Sequence, residues 1–243
     1  MMKRSVADNP QSMAARVADR LEECLRSIPQ PLFCPASGDT PAALYAELVR
    51  RTAAHTLDTS GWYFVGLDEW VGMNGADEGS CRYYIDKGLF QPLQVSDERI
   101  CFFDGRAADL QKECDRVERF ISNRGRIDVA ILGIGPNGHV AMNEPGADPS
   151  GRSHVSILHP ATRATGQKYF RSNVPLERGI TLGLGTLLDA HYLFLLATGE
   201  HKAAIVTSAL EGPVTSEVPA SLLRNHPNLE VWLDAGAASL LNA

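Results

Sequence analysis

Residues 127–146 read IDVAILGIGPNGHVAMNEPG. The opening stretch, Ile127 to Gly133, is a nearly continuous apolar run, the pattern of a strand buried on both faces. A glycine-rich turn follows, Gly133-Ile134-Gly135-Pro136-Asn137-Gly138, and hands the chain to His139 and then to Asn143-Glu144-Pro145-Gly146. The spacing GxGxxG at Gly133, Gly135 and Gly138 would suit a dinucleotide site only if a helix followed the turn and an acid came roughly 20 residues later. Neither condition holds: Asn-Glu-Pro-Gly interrupts any helix almost at once, and no Asp or Glu occurs from Pro149 to Leu176. The turn is therefore read as a presenter of His139 at a strand end, with Glu144 close by. Imidazole shuttles protons near neutral pH, and a neighbouring carboxylate orients it and stabilises its charged form.

Runs of the same kind recur on both sides. Pro31 to Pro35, Trp62 to Leu67, Gly179 to Leu184, Tyr192 to Ala197 and Leu229 to Leu233 are strand-like. Between them lie helical periodicities. Met13, Val17, Leu21, Leu25 and Ile28 form one apolar stripe, and Leu110, Cys114, Val117 and Phe120/Ile121 form another. A helix is expected over Ala42 to Arg50, with Thr40 as N-cap and Pro41 at the first helical position, and another over about His201 to Leu210. Apolar strands alternating with helices indicate an α/β fold: three layers, a mostly parallel sheet with helices on both faces. One domain is expected over 1–243, with a long irregular excursion near 144–160. In such sheets ligands bind beyond the carboxyl ends of the strands.

Three further strand ends carry chemistry. Ala36-Ser37-Gly38-Asp39-Thr40-Pro41 combines a glycine, hydroxyl donors and a helix N-terminus, a combination that suits an anion; taken alone it is equally an ordinary strand-to-helix turn. Asp68 and Glu69 follow WYFVGL directly. Adjacent acids are costly to desolvate without a role or a partner, and one carboxylate at a strand mouth can serve as a general base; a structural, hydrogen-bonded Asp is the plainer alternative. Thr198-Gly199-Glu200-His201-Lys202 follows YLFLLA. A lysine in the first turn of a helix works against the helix dipole unless an anion sits between them; standing alone it would be a solvated surface lysine.

The chain has 243 residues, 44% hydrophobic and 21% charged, with a formal net charge of −6. That balance gives no electrostatic reason to expect nucleic acid or an anionic membrane as partner. An anionic ligand would need a local basic site. The 5 cysteines are odd in number and none form a CxxC pair, which points to reduced, mostly structural thiols. The start lacks the apolar core of a secretory signal, and no apolar run is long enough to span a bilayer. A cytoplasmic protein is expected.

Together the segments SGDTP, LDEWVGM, GIGPNGHVAMNEPG, ITLGLGTLLDA and TGEHK resemble the glucosamine-6-phosphate deaminase/isomerase family, from about Pro31 to Trp232. The related 6-phosphogluconolactonases share the Gly-His turn but not the Asn-Glu-Pro-Gly after it. LDEWVG, the Asn before Gly-His, RGITLGL and VPASLLRNH look closest to the galactosamine-6-phosphate isomerase branch. The resemblance implies a fold of the ribose-5-phosphate isomerase/CoA-transferase-like, Rossmann-like type. It implies that Asp68 is the base moving a proton between C2 and C1, and that His139, assisted by Glu144, opens the sugar ring. Asn137 stands where glucosamine-type members usually carry an Asp, so the charge beside His139 is missing. Ser37, Gly38, Asp39, Thr40 and Lys202 match the family's phosphate site. Lys168, in Lys168-Tyr169-Phe170, replaces an Arg fork by a point charge. The basic pair used for allosteric control in glucosamine-type enzymes is not recognisable in GRSHVSIL, so no such control is expected.

The activity implied is conversion of a hexosamine 6-phosphate, of galactosamine or glucosamine type, to a ketohexose 6-phosphate plus ammonium, with no metal or redox cofactor. The partner is a small-molecule sugar phosphate, and a homo-oligomer is compatible with the chain. Two alternatives differ in kind. A 6-phosphogluconolactonase-type hydrolase would use His139 to activate water and would not need Asp68. A non-catalytic sugar-phosphate-binding protein would rest on the departures at Asn137 and Lys168.

Overall fold

The computed structural model describes residues 2–242. Its strands are β1 (Lys3–Ala7), β2 (Leu32–Cys34), β3 (Tyr63–Val65), β4 (Asp68–Trp70), β5 (Ile100–Cys101), β6 (Val129–Leu132), β7 (His154–Ile157), β8 (Arg178–Thr181), β9 (Tyr192–Ala197) and β10 (Leu229–Asp234). Its α-helices are α1 (Pro10–Leu25), α2 (Ala42–Ala53), α3 (Cys81–Ile85), α4 (Leu110–Asn123), α5 (Pro160–Gly166), α6 (Leu184–Leu188), α7 (Ala203–Glu211) and α8 (Pro219–Leu222).

Seven strands form a sheet in the order β1-β10-β9-β6-β2-β3-β5, and every pairing in it is parallel. The parallel α/β architecture expected from the alternating apolar runs is therefore present. From β2 the chain steps outward through β3 to β5, then returns to β6 on the other side of β2 and continues outward through β9 and β10. The direction of winding reverses between β2 and β6, and a crevice opens at such a point beyond the carboxyl ends of the strands. β9, β6, β2 and β3 are consecutive neighbours. Because they run parallel, the segments that follow them emerge on one edge of the sheet.

The helices obey their local signals. Asn9 caps α1 by accepting from Ser12 N at 2.8 Å, Pro10 opens it, and Met13, Val17, Leu21 and Leu25 face the core. Asp109 caps α4 in the same way through Lys112 N at 3.0 Å. Phe33, Trp62, Phe64 and Phe90 pack edge-on or tilted around β2 and β3. Full burial of side chains of this size stabilises by about 1.5–3 kcal/mol each, and it makes the central strands a rigid base for the loops above them.

The structure differs from the sequence reading at several points. Asp68 and Glu69 do not merely follow a strand; with Trp70 they form β4, in a separate antiparallel sheet of order β4-β8-β7. The run near 179–184 supplies β8 of that small sheet and not a parallel strand. The excursion near 144–160 contains β7. Thr40 does not cap α2: Pro41 occupies the cap position, with no side-chain hydrogen bond. Lys202 ends a short 3-10 turn, Glu200–Lys202, immediately before α7. Among the described residues no helix is long and apolar enough to cross a membrane.

Candidate active site

A cavity of about 390 Å³ opens at the β2/β6 reversal. Ser37, Gly38, Asp39 and Thr40 line it from the β2 end, Asp68 from β4, His139 from the β6 turn, Lys168 from the segment after α5, and Lys202 from the β9 end. Eight residues expected at the site are thus brought to one cavity. Asn137 and Glu144 are not in its wall; they stand behind His139.

The anion-suited part of the wall is built from backbone and lysines. The Tyr45 hydroxyl donates to Ala36 O at 2.6 Å and pins the start of the loop. Gly38 has φ 109°, a left-handed conformation open to glycine, and a Cβ there would come within 3.1 Å of the Tyr169 hydroxyl. The Asp39 carboxylate does not face an anion; it accepts from Lys168 Nζ at 2.6 Å. Any contribution of Asp39 to phosphate binding therefore falls to its backbone. Although burial works against its charge, Lys168 is held above the ordinary lysine range by Asp39 and Tyr169. Lys202 Nζ donates to Ile134 O at 2.7 Å. Burial, with the positive charge of Lys168 added, pulls the Lys202 ammonium below its usual value, which favours an anion between the two lysines.

Asp68 is 6% exposed. Burial raises its pKa to about 6, and contact with the Cys81 thiol partly offsets this. Glu69 points away from the cavity, as strand alternation requires. Its carboxylate accepts Trp70 N at 2.9 Å, Cys81 N at 2.9 Å and Arg82 N at 3.0 Å. Burial pushes Glu69 up to about 7 against the pull of those N–H groups.

His139 is held by a relay. Its Nδ1 lies 2.7 Å from Asn137 Oδ1 and 3.0 Å from Thr162 Oγ1. Asn137 Nδ2 donates to Glu144 Oε2 at 2.8 Å, and Glu144 Oε1 accepts His159 N at 3.1 Å. The Glu144 carboxylate accepts only, so it turns the Asn137 amide with NH₂ outward and C=O toward the ring. That carbonyl requires a proton on Nδ1, which leaves Nε2 as the free lone pair. Burial lowers His139 to about 4, with Glu144 opposing and Lys202 reinforcing the shift. The imidazole is therefore neutral at physiological pH. The ring lies directly over Gly135, where a Cβ would run into it; the glycine of the turn is needed for close approach. After Gly138 the chain makes an isolated bridge, Val140 to Asn143, and no helix, so the GxGxxG spacing does not form a dinucleotide site.

Cys81, Thr162, Tyr169 and His201 also line the cavity, and the sequence reading had not singled them out. Tyr169 and His201 adjoin residues that it had; Cys81 and Thr162 carried no recognisable pattern. Among the described residues no group of three or more His, Cys, Asp or Glu side chains is arranged to hold a metal ion. The arrangement places an ionisable carboxylate, a neutral imidazole and two cations in the wall of one cavity. Such a site can move protons on a small molecule whose distal group is an anion.

The profile of the family described as glucosamine-6-phosphate isomerases/6-phosphogluconolactonase matches residues 5–232. A glucosamine-6-phosphate deaminase of Bacillus velezensis is 35% identical over 94% of this chain and 95% of its own. One from Giardia intestinalis is 34% identical over 94% and 87%, respectively. A solved structure of a monomeric glucosamine-6-phosphate deaminase superposes with a TM-score of 0.95 at 32% identity, covering 98% of this chain and 100% of that one. The 6-phosphogluconolactonase of Trypanosoma brucei superposes at 0.75 with 22% identity, covering 100% of this chain and 99% of the other, a likeness of fold alone.

Proposed function

The chain belongs to the family of glucosamine-6-phosphate isomerases and 6-phosphogluconolactonases and is a hexosamine-6-phosphate deaminase/isomerase; from the geometry of its cavity we propose how it acts. The phosphate rests among the 37–40 backbone, Lys168 and Lys202. The neutral His139 takes the proton of the anomeric hydroxyl on Nε2 and returns it to the ring oxygen, opening the pyranose. The Asp68 carboxylate removes the C2 proton, giving an enolamine, and delivers a proton to C1. Water adds to the resulting C2 iminium, and ammonium leaves to give the ketohexose 6-phosphate. Asn137 and Glu144 act on His139 and not on the sugar.

The observation that supports this most is that Asp68 and His139 wall the same cavity as Lys168 and Lys202. An ionisable base near pH 6 beside a neutral imidazole suits proton abstraction next to a carbonyl. Lactone hydrolysis would leave Asp68 without work, and burying an idle carboxylate is costly. The LDEWVG, RGITLGL and VPASLLRNH segments favour the galactosamine epimer, while the relatives named above are glucosamine-type. All the residues invoked come from one chain, so a monomer suffices for the chemistry. Free cysteines, four of them buried, suit a cytoplasmic setting.

Ammonia and ketose phosphate are to be measured with galactosamine 6-phosphate and glucosamine 6-phosphate side by side, for the wild type and for Asp68→Asn. Release with at least one epimer, abolished in the variant, is expected. Release that survives in Asp68→Asn would overturn the base assignment.

A further inference from the structure

Asp68 lies in β4 of the small antiparallel sheet, and His139 hangs from the turn after β6 of the large one. Two fully buried polar side chains join these places. Asn143 Nδ2 donates to Val140 O at 3.0 Å and to Leu182 O at 2.9 Å. Thr181 Oγ1 accepts Met142 N at 3.2 Å and donates to Leu182 O at 3.1 Å. Leu182 in turn donates its N–H to Leu67 O at 2.9 Å, one residue before Asp68, and Thr181 is the strand partner of Asp68 itself. Gly179 of β8 makes room for the same turn, since a Cβ there would meet Met142 Sδ. Ala141, in the cavity wall, has φ 53°, a left-handed conformation that a Cβ disfavours. Such a residue persists where its surroundings over-determine it. The bonds at Val140 O and Met142 N stand on either side of it.

We propose that Asn143 and Thr181 are positioning residues that register the His139 imidazole against the Asp68 carboxylate through β8. This rests on the reading of Asp68 as the base and His139 as the ring opener. The two groups act in turn on one sugar, first at the anomeric hydroxyl and ring oxygen, then at C2 and C1. Their separation must therefore match neighbouring atoms of a single small molecule. Proton transfer needs heavy atoms within about 2.6–3.2 Å of each other, and a misplacement of about 1 Å can cost about 100-fold in rate. Strand pairing fixes Asp68. The turn that carries His139 has only the isolated Val140–Asn143 bridge of its own, so its hydrogen bonds to β8 come from Asn143 Nδ2 and to Thr181 Oγ1. Neither side chain belongs to the cavity wall. They act through His139 and Asp68, not on the sugar.

The test is steady-state kinetics and inhibition by inorganic phosphate for Thr181→Val, Thr181→Ser and Asn143→Ser, with C2-hydrogen exchange into deuterated water followed in Asp68→Asn. Thr181→Val keeps the side-chain shape and loses the acceptor for Met142 N. Its kcat should fall about 10- to 100-fold, with KM and phosphate inhibition nearly unchanged, because the 37–40 loop and the two lysines stand on other elements. Thr181→Ser, which restores the hydroxyl, should recover most of kcat. Asn143→Ser, too short to reach Leu182 O, should show the same split; if Thr181→Val does not fold, it decides. An unchanged kcat in the folded variants, a loss shared equally by phosphate inhibition, or a Thr181→Ser as impaired as Thr181→Val overturns the proposal while leaving the base reading intact. C2 exchange that persists in Asp68→Asn overturns the base reading, and the proposal falls with it.

Discussion

The amide oxygen of Asn137 lies 2.7 Å from Nδ1 of His139. A neutral acceptor at that distance fixes the tautomer without adding charge, and it leaves burial free to hold the imidazole near 4. Asn137→Asp would place an anion there. The charged form of the ring would then be favoured, and its pKa should rise by about 1–2 units. Ring-nitrogen NMR titration reads this directly. Since ring opening needs the neutral ring as acceptor, kcat/KM of the variant near pH 5–6 should fall below that of the wild type. A titration that does not move would mean that the amide is not the group governing His139.

The orientation of that amide depends on Glu144, whose carboxylate accepts Asn137 Nδ2 at 2.8 Å. Glu144→Gln offers a donor as well as an acceptor, so the Asn137 amide can turn over and present NH₂ to the ring. Nδ1 would then accept, the proton would move to Nε2, and the lone pair facing the sugar would be lost. The expected result is a fall in kcat of about 10²–10⁴-fold, the worth of one general acid–base step, with KM nearly unchanged. The nitrogen shifts of His139 should report the exchanged tautomer.

Much of this arrangement was legible in the sequence, and the gaps have physical reasons. The four strand-end segments could be read as one site because parallel strands put their carboxyl ends on one edge. His139 was legible because it sits in a glycine-rich turn at the end of a buried strand, with Glu144 close by in sequence. The placement of Asp68 and Glu69 within β4 was hidden, since a three-residue strand shows no measurable alternation, and its pairing partner Thr181 is more than a hundred residues away. β7 was hidden for a similar reason: His154 and Ser156 dilute its apolar pattern. Cys81 gave no signal because its place in the cavity wall depends on the hydrogen bond its N–H donates to Glu69, twelve residues earlier. The relay role of Asn137 likewise needed coordinates, because nothing in Asn-Gly-His tells which way the amide turns.

Asp68 links activity to stability with opposite signs. Its folded pKa of about 6 lies above the ordinary aspartate value of 3.8, so the native state binds a proton more tightly than the unfolded chain. The ionised form is therefore disfavoured in the native state. The penalty is fully present above about pH 6 and disappears as pH falls toward 4. Asp68→Asn should abolish turnover yet stabilise the fold at pH 8, by on the order of 2–3 kcal/mol for a shift of this size. The gain should shrink through pH 6. Glu69 shares this sign and His139 has the reverse, so the comparison must be variant against wild type at each pH. Urea unfolding at pH 8 and pH 5 supplies it; equal gains at both would show that Asp68 is not the source.

The two lysines of the cavity should not be equivalent. Lys202 is the more buried, is fixed through Ile134 O at 2.7 Å, and carries a depressed pKa that a bound dianion would restore. Lys168 is more exposed and already neutralised by Asp39 at 2.6 Å, so an arriving phosphate must compete for it. A charge-assisted hydrogen bond contributes about 1.5–3 kcal/mol, and the buried partner should sit at the upper end. Lys202→Ala is then expected to raise KM about 100-fold and Lys168→Ala about 10-fold, each with kcat changed much less, because the phosphate is held equally in ground and transition states. Asp39→Ala should leave KM within a few-fold of wild type or lower it, since its carboxylate only occupies Lys168. Inhibition by inorganic phosphate should weaken in the same order. A larger loss in Asp39→Ala than in Lys202→Ala would mean that the anion is gripped elsewhere in the cavity.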